Sequence, residues 1–164
     1  FELTSQRFFD RLYEARGIEL EASWRYEGIF LNGGLTWTDA EISKDEISPT
    51  NQGNTPRRQA DLVYQLTGGY QSTNWTIGAN LIGTTDAYAQ DNNELVMPGY
   101  TQINLFGDYR FAENWVVGLN VNNLFDTFGI TESEEGSIVA NAQNIIRARS
   151  IPGRTATVSV RYEF

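Results

Sequence analysis

The 164-residue sequence contains no cysteine and no histidine. Without cysteine there is no disulfide framework and no thiolate zinc site, and without histidine most acid–base chemistry loses its usual agent. A Ser-His-Asp triad, and with it an outer-membrane lipase or protease, cannot be assembled from these residues. No stretch approaches the 18 or so consecutive apolar residues of a membrane helix. Basic residues are also scarce: 12 Lys and Arg stand against 21 Asp and Glu, and a net charge of −9 is the wrong sign for a nucleic-acid surface. The chain does not begin with methionine and shows no signal peptide, which suggests a mature product or a fragment.

What the chain does have is alternation. From Arg154 to Phe164, residues Ala156, Val158, Val160, Tyr162 and Phe164 share one face, opposite Thr155, Thr157, Ser159, Arg161 and Glu163. Such a period of two is that of a β-strand with one oily and one wet face. The same pattern recurs in Ile18 to Tyr26, Ile29 to Trp37, Ala60 to Tyr70, Trp75 to Gly83, Thr101 to Phe111 and Trp115 to Val121. Seven strands are expected, with an eighth possible from Phe1. Arg7, Asp10, Arg11 and Glu14 read as a mixed-charge loop after it.

The connections come in two kinds. Glu27-Gly28, Ser72-Thr73-Asn74 and Ala112-Glu113-Asn114 are tight turns. Asp39 to Arg58, Ala89 to Gly99 and Asp126 to Gly153 are long and polar, the kind of loop that tends to carry function. Trp24, Tyr26, Tyr70, Trp75, Tyr109, Phe111, Trp115, Tyr162 and Phe164 all lie on apolar faces near the short turns or the C-terminus. A soluble core has no reason to confine its rings to one rim, whereas a lipid-facing wall does. Strands of about 10 to 13 residues also fit a tilted membrane span. The mean hydropathy of −0.40 does not oppose this, because only every second residue of such a strand meets lipid.

The expected fold is therefore all-β, a transmembrane antiparallel barrel. Eight strands could close a small barrel with a structural or adhesive role, the alternative being one segment of a larger wall. Val121-Asn122-Asn123-Leu124-Phe125-Asp126, followed by a long loop and Pro152 to Phe164, resembles the C-terminal end of TonB-dependent outer-membrane receptors, and Gly17-Ile18-Glu19-Leu20-Glu21 resembles a segment of the same family. The resemblance implies a barrel of about 22 strands, plugged by an N-terminal domain. Such a receptor binds siderophore-bound iron or an oligosaccharide outside and imports it with energy from TonB. Residues 1–164 would be the C-terminal segment of that barrel, without the plug.

The implied partners are outer-membrane lipid and lipopolysaccharide, the remainder of the barrel and its plug domain, TonB through the N-terminal part, and the barrel-assembly machinery. That machinery would read Val158, Val160, Tyr162 and Phe164. Long loops face outside in such barrels, which makes Arg57, Arg58, Tyr88, Asp91, Asn92, Asn93, Glu94, Glu132, Glu134, Glu135, Arg147 and Arg149 candidates for substrate contact. Neither a cofactor nor a metal site is expected, since no Asp-x-Asp-x-Asp-Gly ladder accompanies the acidic residues. Lumen-facing Glu19, Glu21, Arg25, Asp61, Asp108, Arg161 and Glu163 are expected to form a charge network or simply a wet surface.

The small-barrel and larger-wall readings predict different behaviour after refolding in detergent. A segment of a larger wall should give no compact, heat-modifiable monomer on a gel. A compact, protease-resistant monomer would favour the closed eight-stranded barrel.

Overall fold

The computed structural model describes residues 11–133 and 146–164. The possible strand at Phe1 and the candidates Glu134 and Glu135 lie outside the described residues. Eleven strands occur within them: β1 (Arg11–Tyr26), β2 (Ile29–Asp45), β3 (Leu62–Gln71), β4 (Trp75–Thr84), β5 (Ala87–Tyr88), β6 (Val96–Met97), β7 (Tyr100–Ala112), β8 (Trp115–Asn122), β9 (Ile130–Ser133), β10 (Ala148–Ser150) and β11 (Thr155–Tyr162). Seven form one antiparallel sheet in the order β1-β2-β3-β4-β7-β8-β11, and the remaining four pair into two small two-stranded sheets at the second and third loops. Among the described residues the large sheet is open, with β1 and β11 at its edges.

Register decides which way each side chain points. Ile18 lies opposite Trp37, Leu20 opposite Leu35, and Trp24 opposite Leu31. Leu35 in turn faces Tyr64, Leu66 faces Leu81, Leu81 faces Ile103, Leu105 faces Val121, and Leu119 faces Val158. The apolar phases of all seven strands thus fall on one continuous face, and a slip of one residue anywhere would turn a strand's apolar set to the wrong side. On that face Ile18, Leu20, Trp24, Val158 and Val160 are all more than half exposed. Only Ile42, Ala89, Met97 and Val116 are buried hydrophobics among the described residues, so the wall has no apolar core of its own. An apolar face this extensive needs a non-aqueous surround, and lipid supplies it.

The aromatic rim is built from ring pairs and one longer chain of rings. Tyr70 meets Trp75 at 5.1 Å, Phe111 stacks on Trp115 at 6.2 Å, and Trp115 leads through Tyr162 at 4.9 Å to Phe164 at 5.0 Å. A bulge allows the Phe111 contact: Arg110 pairs with Val116 and Ala112 with Trp115, leaving Phe111 unpaired. Trp37 and Tyr64 share the apolar face near the opposite, long-loop end. The apolar band therefore has rings at both borders, as a membrane-spanning wall requires. At the rim side Glu27 and Gly28 both take positive φ, 45° and 86°, the geometry of a tight hairpin turn.

Two sequence expectations change. Arg11 and Glu14 belong to β1, not to a loop, and β2 runs on to Asp45, well past the expected loop start at Asp39. The two strands are 16 and 17 residues long, so this hairpin stands above the apolar band as a ribbon. The extension escaped notice because residues 11–16 and 39–45 carry charge on both faces and show no apolar phase.

The terminal strand is pinned at its start. Asn123, 1% exposed with φ 50°, accepts from the Thr127 amide at 2.8 Å and donates through Nδ2 to the carbonyls of Thr127 and Pro152 at 2.9 and 3.0 Å. Asp126 Oδ1 accepts the Arg154 amide at 2.8 Å. The two residues tie together the ends of the third loop and fix the register in which Thr155 meets Asn122. Asn suits this place because it tolerates positive φ and offers both a donor and an acceptor. Replacing Asn123 with Ala should cost about 2–4 kcal/mol through stranded buried groups. The measurement is the unfolding midpoint of the complete barrel in denaturant, and an unchanged midpoint would contradict the assignment.

Candidate binding site beneath the outer loops

The inner face of the sheet is polar and layered. One row holds Arg25, Phe30, Gly69, Gly78 and Phe106 on neighbouring strands. A β-carbon at Gly69 or Gly78 would strike the Phe30 or Phe106 ring, and the two rings fold over the glycines to stack at 6.4 Å. The Arg25 guanidinium lies 5.8 Å from the Phe30 ring. Phe106 thus packs within the wall, as does buried Val116, whereas inward-facing Val63 remains 52% exposed.

Above this row runs a chain of neutral side chains. Asn80 donates to Thr67 at 2.8 Å, Asn104 to Asn80 at 3.1 Å, and Gln102 to Asn104 at 2.7 Å. At the short-turn end, Glu163 receives Arg110 at 2.9 Å and Arg161 at 3.1 Å.

Higher on the same face a cavity of about 590 Å³ opens under the loops. Its walls include Glu19 and Glu21 from β1, Gln65 from β3, Ile82 from β4, Arg58 from the first loop and Met97 from the second. Glu19 and Glu21 form no ion pair or hydrogen bond among the described residues. A cavity of this volume suits a drug-sized ligand, and its lining offers carboxylates, a guanidinium and apolar surface together.

The loops above it are cross-braced. Residues 54–58 of the first loop run beside residues 88–93 of the second. Asn54 donates to the Asp91 carbonyl at 2.9 Å, and the Arg57 amide to Asp91 Oδ1 at 3.0 Å. Thr55 and Asn93 exchange two bonds, at 2.9 and 2.8 Å, and the Arg58 amide donates to the Tyr88 carbonyl at 2.7 Å. Arg58 also donates to the Ser133 carbonyl at 2.8 Å and approaches Glu132 at 3.4 Å, while Arg149 meets Glu132 at 3.3 Å.

The structure therefore brings Arg57, Arg58, Tyr88, Asp91, Asn93, Glu132 and Arg149 into one assembly. Asp91 and Asn93 spend their side chains on inter-loop bonds. Asn92 accepts from the Glu94 amide within its own turn at 3.2 Å, and Arg147 is exposed. Of these candidates only Arg58 lines the cavity itself.

Two further participants, Asp45 and Arg11, meet in a pairing that the sequence does not reveal. A second bulge turns Asp45 toward the loops: Tyr13 pairs with Ile42 and Leu12 with Lys44, so Ser43 is skipped and the phase flips. Asp45, fully buried, accepts the amides of Ile47 and Ser48 at 3.0 Å each. Its carboxylate also meets Arg11 Nη2 at 2.8 Å, and Arg11 Nη1 reaches Asp91 at 2.9 Å. Continuing the inward phase of Gly17 and Glu19 back to Arg11 would have pointed to the cation, but the bulge leaves no mark in sequence.

The chain matches a family model described as TonB dependent receptor-like, beta-barrel, over residues 4–124. It is 32% identical over 123 residues to the metal-pseudopaline receptor CntO of Pseudomonas aeruginosa, a match covering 68% of this chain and 16% of that receptor. Its fold is similar to the siderophore receptor PiuA from Acinetobacter baumannii, with a TM-score of 0.77, 21% identity, and coverage of 92% of this chain and 22% of the other. The ferric yersiniabactin uptake receptor FyuA from Yersinia pestis gives 0.77, 19%, 93% and 24% in the same order. The chain thus spans about a sixth of the curated relative's length.

Acid should test the bracing. The Ser48 amide, with those of Ile47 and the Arg11 guanidinium, holds the Asp45 carboxyl below its ordinary range against the opposing effect of burial. A lowered folded-state value contributes stability above the ordinary value of about 4 and loses it as pH falls through the folded value. Protease protection of the first loop should therefore be constant from neutral pH down to about 5 and fail only below about 4. Loss of protection already near pH 6 would contradict this.

Proposed function

This chain belongs to the TonB-dependent receptor family, integral β-barrel proteins of the outer membrane, and we propose that it forms the side of such a receptor that grips a chelated metal ion beneath its outer loops. The cavity carries the reading: it lies on the polar face of a lipid-facing wall, under cross-braced loops, with Arg58, Glu19 and Glu21 all in its lining. Metal–chelator complexes commonly present carboxylate or other anionic oxygens, which a guanidinium can bind bidentately. The CntO relative is named for a metal chelate, and the titles of PiuA and FyuA speak of siderophores. These names favour a chelated metal over an oligosaccharide as cargo.

We propose the remaining parts of the cycle on the strength of family membership. The rest of the barrel closes the wall between β11 and β1, and a plug domain fills the lumen below the cavity. TonB supplies the energy that releases cargo inward. Val158, Val160, Tyr162 and Phe164, all on the lipid face of the last strand, form the signal for the barrel-assembly machinery, and lipopolysaccharide surrounds the long-loop border.

Uptake by the complete receptor tests this. Cells relying on it should accumulate iron or another metal ion presented as chelates of small anionic ligands. Arg58→Glu should lower that accumulation about tenfold, the equivalent of one charge-assisted hydrogen bond. Saturable uptake of an oligosaccharide, with none of any chelate, would overturn the assignment.

A further inference from the structure

Arg11 takes no part in the cavity lining, yet it sits where two outer loops meet. Its two Nη atoms reach two buried carboxylates on different loops: Asp45, at the foot of the first, 2.8 Å away, and Asp91, in the second, 2.9 Å away. Asp45 is 0% and Asp91 8% exposed. Two carboxylates at such burial repel each other unless a cation stands between them. The first loop's Arg58 and the second loop's Met97 both line the same cavity. We propose that Arg11 is a positioning residue, the cation that joins the first and second outer loops into one body and so sets the spacing of the cavity walls.

The rest of the junction fits this role. The Asp91 carboxylate is shared, with Oδ2 on Arg11 and Oδ1 on the Arg57 amide, so the same side chain links β1, the first loop and the second loop. Next to it, the Thr55–Asn93 exchange and the Arg58–Tyr88 bond continue the seam toward the cavity. The guanidinium is needed for its fork: one planar group supplies separate N–H donors to both acids, which a single ammonium does less well. Arg11 therefore holds closed a seam whose hydrogen bonds are individually weak and partly open to water.

The proposal gives the uptake reading a mechanism for keeping its cavity shaped, and rests on that reading for the cavity's purpose but not for the coupling. The test uses the complete receptor in detergent, free of other cysteines, with nitroxide labels at Gln52→Cys on the first loop and Asn92→Cys on the second. Pulsed electron paramagnetic resonance reads the distance between them without any cargo. With Arg11 present the distribution should be narrow. Arg11→Ala should broaden it at least twofold, and Arg11→Lys should recover part of the narrowing. An Arg11→Ala distribution as narrow as the parent's overturns the proposal. Heat-modifiable gel mobility reports whether each variant folds. Should Arg11→Ala fail that check, Asp91→Asn, which keeps the side chain's size and removes its charge, must broaden the distribution, and an unchanged width overturns the proposal equally. A receptor that shows the expected widths but takes up no metal chelate sinks the transport reading alone.

Discussion

A strand in a lipid bilayer has nowhere to place its amides except on the next strand, and every other feature of this protein follows from that requirement. Seven antiparallel strands satisfy one another across the sheet, and the period of two then divides their side chains into a lipid set and a lumen set. The apolar set is held in place by register alone. No core of packed side chains backs it, since the buried hydrophobics among the described residues are four and two of them, Ala89 and Met97, sit in the second loop. The wall is stabilised by its ladder and its solvent. What resembles a conventional protein interior has moved up into the loops.

That displacement explains why the loops are built as they are. Projecting beyond the bilayer, they lack both lipid and a neighbouring sheet, so they brace one another with buried polar groups. Asp45, Asp91 and Asn123 are each buried and each occupied by several partners, as burial of a polar group demands. Two bulges do the aiming, one sending Asp45 to Arg11 and the other letting Phe111 reach Trp115. The cavity lies where this braced roof meets the polar inner face, and its chemistry is the sum of both: carboxylates from β1 and a guanidinium from the first loop.

The legibility of the sequence follows the same division. Strands from Ile18 to Tyr26 or from Trp75 to Gly83 could be read because lipid imposes an apolar residue at every second place. The rim aromatics could be read for the same reason. Residues 11–16 and 39–45 could not, because above the bilayer both faces of the ribbon are polar and alternation disappears. The terminal motif around Asn123 was visible as a resemblance, but its work, pinning Pro152 and Arg154 to the end of β8, depends on contacts 29 and 28 residues away. Candidates such as Asp91 and Asn93 were found by their place in a loop; that their side chains face the first loop is a tertiary fact with no local signal.

The division of each strand into lipid and lumen sides is the claim on which the rest stands, and β3 tests it most directly. Single cysteines carrying a fluorophore would be placed in turn from Val63 to Thr67 of the complete receptor, in bilayers containing brominated lipid. Quenching should alternate strictly, strong at Tyr64 and Leu66 and weak at Val63, Gln65 and Thr67. Quenching that shows no period of two, or the opposite phase, would contradict the account.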